Sequence, residues 1–421
     1  MTSLSDQLSN FVDAAGDQSS GGQGRSADHD HGIVLKGPWE NFADGFAEHT
    51  RRNARALAMA GLPVALRSLS PRIRIAMGEE LQIDEDYKDL LQKTVAVVDA
   101  QIFQLVPVDG SLSVLTAHRY YSFEEQKIIN SRKVFYTVWE RFSGLRQDDR
   151  IALKSVGQVW VSCQASKKFL VNEGLDESKV KVFPCPYLPS DPILALSSEI
   201  KRKNARPTFY HVGKWEPRKE QRNVLGGFLL AFNPGECSLL IKTSEKSPYF
   251  DGYPSNIAVS IEEWLADERV KARGWTKQNI GQDVFAVTKR LSSSQMINLH
   301  RTGDCYVSLS RGEGFDMPAF DAKMAGNLML YTPSGGPQDF AHPEDVCVQS
   351  SGLIDAHPFY RWEKGSQYLD YEMEEVVRGY RLAADKVRAQ VSAKRSLEDF
   401  SALCVGQRMA EAVKELGELG F

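Results

Sequence analysis

The chain has 421 residues, 42% of them hydrophobic, with 51 Lys and Arg against 55 Asp and Glu and a net charge of −4. At roughly 100–200 residues per domain, this length exceeds one ordinary core and points to two domains. The near-neutral balance excludes a general nucleic-acid coat, and no window approaches the ~20 apolar residues of a membrane helix.

Residues 1–31 are rich in Ser, Gly and Asp, lack the basic start and apolar stretch of a signal peptide, and read as a disordered tail in which His29 and His31 are solvated rather than metal-bound. Regular patterning begins at residue 32: "GIVLKG" reads as a strand, "FAEHTRRNARALAMAG" as a helix with a glycine stop, and "LPVALRSL" as a second strand. Further strands are expected at "KTVAVVDAQIFQLV", "KVFYTVW", "GQVWVSC" and "VKVFPCP", with the helical "QASKKFLVNEG" between the last two. Strands alternating with helices favour a parallel sheet covered on both faces, so residues 32–195 form a first Rossmann-like domain.

"LPSDPILALSSEIKRKNARP" breaks the rhythm and reads as the inter-domain linker. The alternation then restarts through "TFYHVG", "EQRNVLGGFLLAFN", "CSLLIKTS", "DVFAVT", "CYVSLS" and "LMLYT", giving a second Rossmann-like domain over residues 196–400 and a final helix within 401–421. In doubly wound α/β sheets ligands bind beyond the carboxyl ends of the strands, so the cleft between the domains is the expected site. The six cysteines (Cys163, Cys185, Cys237, Cys305, Cys347 and Cys404) show no CxxC or Cys/His spacing and read as reduced thiols of a cytoplasmic protein.

The stretch with most chemistry is "SRGEGFDMPAFDAKMAG". It places Glu313 in a Gly-rich loop after a strand and Asp321 in the helix that follows, with the backbone N–H groups of Gly314, Phe315 and Asp316 approaching the helix N-terminus. Such amides suit a phosphate, and carboxylates suit sugar hydroxyls. A nucleoside diphosphate sugar presents both.

Here the chain resembles the GT-B glycosyltransferases, specifically glycosyltransferase family 4, whose signature is a Glu, seven residues and a second Glu. Glu313 matches the first acid and Asp321 replaces the second with a shorter side chain. The resemblance implies that Glu313 and the following amides hold the donor sugar and its phosphates, and that Asp321 holds the ribose hydroxyls. "HVGKWEPRKEQRNVLGGFLLAF" resembles the stretch in which a basic pair grips the donor diphosphate, with Lys214 and Lys219 at the two positions and Arg218 adjacent as a substitute. Glu220 stands where the family often has Gly.

In the first half, Gly45 and Phe46 match the loop that approaches the donor, and "VFYTVWE" resembles a Y-T-x-x-E stretch. The His that many members carry after the strand ending "QIFQLVP" is missing; Gln104 stands there and His118 is the substitute. The resemblance implies a GT-B architecture, two doubly wound domains facing a cleft, with the last helix crossing back to the first domain. It also implies transfer from a nucleotide sugar with retention, without a metal, the nucleotide sugar being a substrate and no cofactor being expected. The base is expected to be read near "TKRLSSSQM".

Taken singly, Glu313 and Asp321 read as helix-capping acids and Lys214 and Lys219 as surface cations; their coincidence at matching places favours the donor site. His118, His211 and His300 read as structural, and Asp84-x-Asp86 lies in a charged run unlike a metal motif. Arg51, Arg52, Arg55, Arg67, Arg72 and Arg74 occur between residues 50 and 77 without an acid, and form either a solvated face or a contact for an anionic acceptor such as a lipid headgroup, a phosphoglycan or a nucleic acid. The rival classes are a glycoside hydrolase using the two acids and a non-catalytic binding protein on the same scaffold.

Overall fold

The computed structural model describes residues 29–37, 45–68, 89–90, 93, 95–105, 107–108, 111–112, 132–198, 206–244, 256–356 and 365–418. His118, Asp84, Asp86, Arg72, Arg74, residues 1–28 of the tail and residues 199–205 of the linker lie outside the described residues.

The first sheet is built from β1 (His29–Gly37), β2 (Val64–Ser68), β3 (Val95–Leu105), β4 (Lys133–Thr137), β5 (Gln158–Val161) and β6 (Val180–Val182). All pairings are parallel, in the order β2-β1-β3-β4-β5-β6. Strand β1 starts at His29, within the stretch that composition assigns to the tail, because its polar first residues pair with β3, His29 opposite Val95. Helices α1 (Gly45–Met59), α2 (Gln147–Ser155) and α3 (Gln164–Asn172) connect these strands. Every residue of β4 and β5 is buried, which is why Val134–Tyr136 and Val159–Val161 read as apolar runs without alternation.

The second sheet contains β7 (Thr208–Val212), β8 (Ser238–Lys242), β9 (Val284–Val287), β10 (Cys305–Ser308), β11 (Leu328–Tyr331) and β12 (Val346–Cys347). It too is parallel, ordered β9-β8-β7-β10-β11-β12, so the order reverses between β7 and β10. The loops after those two strands diverge and leave a crevice. Helices α4 (Gln221–Ala231), α5 (Ile257–Ala266), α6 (Ser293–Thr302), α7 (Met317–Met324) and α8 (Met373–Arg388) cover this sheet. An antiparallel hairpin, β13 (Gly352–Asp355) with β14 (Gln367–Asp370), extends the second domain. It reaches the first, where Phe142 N–H donates to Gln367 O at 2.9 Å and Arg141 Nη1 to Ser366 Oγ at 3.1 Å.

Helix α9 (Ala402–Glu418) returns to the first sheet, where Val405, Met409, Val413 and Leu416 share a core with Leu57, Leu66 and Trp160. A Cβ on Gly406 would lie 2.0 Å from Ala56 O, so glycine is what lets α9 lie against α1. The two chain crossings between domains run side by side: Tyr187 N–H donates to Phe400 O at 3.0 Å and Ala402 N–H to Tyr187 O at 2.9 Å. Among the described residues no helix is long and apolar enough to cross a membrane, and all six cysteines are free thiols.

Candidate functional site

Five loops meet at the carboxyl ends of the two sheets. The second domain supplies those after β7, β10 and β11, and the first supplies those after β4 and β5. Two glycines permit the approach. A Cβ on Gly312 would sit 1.9 Å from Glu140 O, and Gly335, at φ +140°, would place a Cβ 1.8 Å from Glu313 O. Glu313 N–H donates to Ser334 O at 2.7 Å, and Ser162 Oγ donates across the cleft to Gly314 O at 2.9 Å. These contacts fix the Glu313 loop against both domains.

The loop after β7 tightens into a 3-10 turn, Pro217–Lys219, which aims two consecutive cations into the cleft. Lys219 Nζ lies 2.5 Å from Glu313 Oε1, and Arg218 Nη1 lies 3.3 Å from the same oxygen. Arg218 also contacts Gly312 O at 2.5 Å, Glu216 Oε1 at 2.9 Å and, from the opposite domain, Glu140 Oε2 at 3.1 Å. Burial opposes ionisation of Glu313, but Lys219 and Arg218 outweigh it and hold the carboxyl below the usual range. For Glu140, burial, reinforced by Glu313 and opposed by Arg218, raises the pKa to about 7.

Asp316 brings its side chain to the same loop. It occupies the left-handed region at φ 64° as the N-cap of α7, its carboxylate accepting from Ala319 N–H at 3.4 Å and from the Ser308 hydroxyl. The helix N-terminus is therefore capped by the chain's own acid, whose pKa burial and Glu313 raise to about 6. The backbone N–H groups of Gly314, Phe315 and Asp316 have no acceptor among the described residues. The Phe315 ring is buried against Phe320 and Phe340, at centroid distances of 5.1 and 5.4 Å.

Asp321 does not join this cluster. From the second turn of α7 it faces Arg52 of α1 and Asp191 of the linker, and burial, against Arg52, raises its pKa to about 7. Its Oδ1 is buried with no hydrogen-bond partner. Lys214 is also apart: its side chain is exposed and makes no ion pair among the described residues, while its carbonyl accepts from Gln221. Gly45 opens α1 with its missing side chain directed at Met317 Sδ, 3.7 Å from a built Cβ, so the first turns of α1 and α7 meet. Phe46 is half-buried one residue on.

The Arg-rich run is not a uniformly solvated face. Arg51 and Arg52 are buried and both bind Glu48, at 2.6 and 2.7 Å, an acid lying just before the acid-free stretch. Arg52 also reaches Pro186 O at 3.4 Å. His211 and His300 are buried, with one ring nitrogen on Val307 O and on the Tyr210 hydroxyl respectively. Sequence patterning assigns no role to Glu140 or Glu216. Glu140 was nonetheless visible as the acid closing "YTVWE" just past a fully buried parallel strand, the position where such sheets place ligand contacts.

No family model and no curated protein sequence matches the chain. Solved structures do match its fold. HepE from Anabaena, in complex with UDP and glucose, is 11% identical with a TM-score of 0.54, over 92% of this chain and 100% of that one. Sucrose-phosphate synthase from Thermosynechococcus elongatus is 14% identical with a TM-score of 0.55, over 92% and 99%. The lipopolysaccharide outer core galactosyltransferase WaaB, in its apo form, is 13% identical with a TM-score of 0.54, over 91% and 99%. The two parallel six-stranded sheets thus form the GT-B architecture.

Proposed function

We propose that the chain is a glycosyltransferase that moves a sugar from a nucleotide-diphosphate-sugar donor to an acceptor hydroxyl, with retention, in the manner of glycosyltransferase family 4. The observation that carries this is Arg218 and Lys219 converging on Glu313, beside the unpartnered amides of Gly314 and Phe315, at the reversal point of the second sheet. The three structural neighbours act on or hold sugars or nucleotides, which agrees with it at the level of fold.

Lys219 and Arg218 take the diphosphate, with Lys214 at the rim. Glu313 accepts from the sugar hydroxyls. The buried, unpartnered Oδ1 of Asp321 supports its role as acceptor for the ribose hydroxyls. As the C1–O bond to the diphosphate breaks, negative charge grows on the leaving oxygen, and cations held beside it lower the barrier. That oxygen takes the proton of the acceptor hydroxyl as the new C1–O bond forms, so no separate base is needed. Positive charge comes from side chains, and no metal or cofactor enters the scheme. The free thiols fit a cytoplasmic setting.

A glycoside hydrolase is less well supported, because its two acids must flank one bond, and Asp321 lies against Arg52, apart from the Glu313 cluster. The deciding experiment is a thermal-shift panel of nucleotide sugars followed by a turnover assay. A donor at a hundredfold excess over Kd stabilises by about 2.7 kcal/mol. No shift with any nucleotide sugar would refute the proposal, and binding without turnover would leave a binding protein.

A further inference from the structure

Four carboxylates crowd two cations where the diphosphate is assigned: Glu140, Glu216, Glu313 and Asp316 around Arg218 and Lys219. Fully ionised, this cluster has more negative than positive charge before any ligand arrives. A donor diphosphate adds two further negative charges in a poorly solvated cleft, where like charges repel strongly. One acid must therefore give up its charge.

Three of the four are committed. Glu313 is held by both cations, Glu216 sits on Arg218 at 2.9 Å, and Asp316 caps α7 and accepts from Ser308. Glu140 and Glu216 each have Arg218 as their ion-pair partner, but Glu140, at 3.1 Å, keeps 31% of its side-chain surface exposed against 13% for Glu216. It also stands on the opposite wall, at the end of β4.

We infer that Glu140 is a donor-binding residue that works as a neutral carboxylic acid: when the donor enters, Glu140 takes a proton from solvent, releases Arg218 to the diphosphate and donates its O–H to a phosphate oxygen. No covalent bond of the donor changes in this step. The inference rests on the donor site assigned above. The charged groups facing Glu140 are Arg218 and Lys219 from the 3-10 turn, Glu216 before it and Glu313 after β10; burial and Glu313 already favour its neutral form.

The test is titration calorimetry of the full chain with UDP-glucose, GDP-mannose and ADP-glucose at pH 6.5, 7.5 and 8.5, in buffers of different ionisation enthalpy. The phosphates of these diesters do not titrate in that window. A bound donor should take up close to one proton at pH 8.5, and its affinity should fall by up to about tenfold per pH unit above neutrality. Glu140→Gln keeps a hydrogen-bond donor without the charge; it should abolish the uptake and bind about tenfold more tightly than the unaltered chain at pH 8.5. Donor binding without proton uptake, or unchanged uptake in Glu140→Gln, overturns the inference while leaving the donor site intact. Binding by none of the three sugars overturns the donor site itself. Because the uptake is measured on the unaltered chain, the test stands even if the variant does not fold.

Discussion

Helix α7 carries an ionic cluster at each end, and the two are built on opposite plans. Toward its C-terminus, Lys323 and Asp345 pair at 2.8 Å with both side chains 0% exposed. Lys323 Nζ also donates to Asn327 O and Ala393 O, and Asp345 accepts from Met329 N–H and His342 N–H. Charges match one to one and the donors are filled. At the N-terminal end, by contrast, two cations are shared among four acids, three amides lack acceptors among the described residues, and one acid remains partly open. A buried pair that is satisfied within the protein fixes the fold, whereas one left over-supplied with acid is arranged for something that arrives later.

The sharpest way to break this contrast is to cut the closed pair. Lys323→Ala leaves Asp345 buried without its counter-charge and should cost about 3–5 kcal/mol in urea unfolding. A loss below 1 kcal/mol would mean that the pair is not structural. At the open end, Glu313→Gln should leave the melting temperature nearly unchanged while transfer falls about a hundredfold, equivalent to roughly 2.7 kcal/mol of barrier. If this variant unfolds instead, the two ends are alike and the contrast fails.

Lys219→Ala should weaken donor binding and transfer by more than tenfold, since a charge-assisted hydrogen bond contributes about 1.5–3 kcal/mol. Unchanged kinetics would shift the grip to Arg218. Asp321 offers a test by pH. Its folded pKa is raised to about 7, so between about pH 4 and 7 the native state binds more protons than the unfolded one, and this group's contribution declines as pH rises. Relative to the unaltered chain, Asp321→Asn should therefore gain stability from pH 5 to pH 8 in paired denaturation curves; a parallel pair of pH profiles would contradict the burial that raises it. The smallest change is expected from Lys214→Ala, under threefold in donor affinity, because the side chain is exposed and unpaired among the described residues. A tenfold loss would bring Lys214 back into the diphosphate grip.

Central parallel strands were legible because burial on both faces writes them as continuous apolar runs, as in β4 and β10. The β13–β14 hairpin was not, since β13 is largely exposed and carries no such run. Helix α6 begins on a signal that the sequence carries in "SSSQM": Ser292 and Gln295 form the capping box that starts it. At the site, Glu313 was singled out by its Gly-rich loop after a strand and Lys219 by the family resemblance, and the two side chains meet. The pairing of Glu140 with Arg218 was not legible, because that contact joins the two domains and nothing local to either residue encodes it. The separation of Asp321 from Glu313 was equally hidden: which way an acid on α7 faces depends on Arg52, whose placement is fixed by α1.

The paired crossings at Tyr187 and Ser401 also restrict how the cleft can open. One connecting strand would let one domain swivel about the other in any direction. Two connections joined by one β-bridge move together, because separating them breaks both of its hydrogen bonds. Both connections must therefore flex together whenever the two walls part, which separates Glu140 from Arg218.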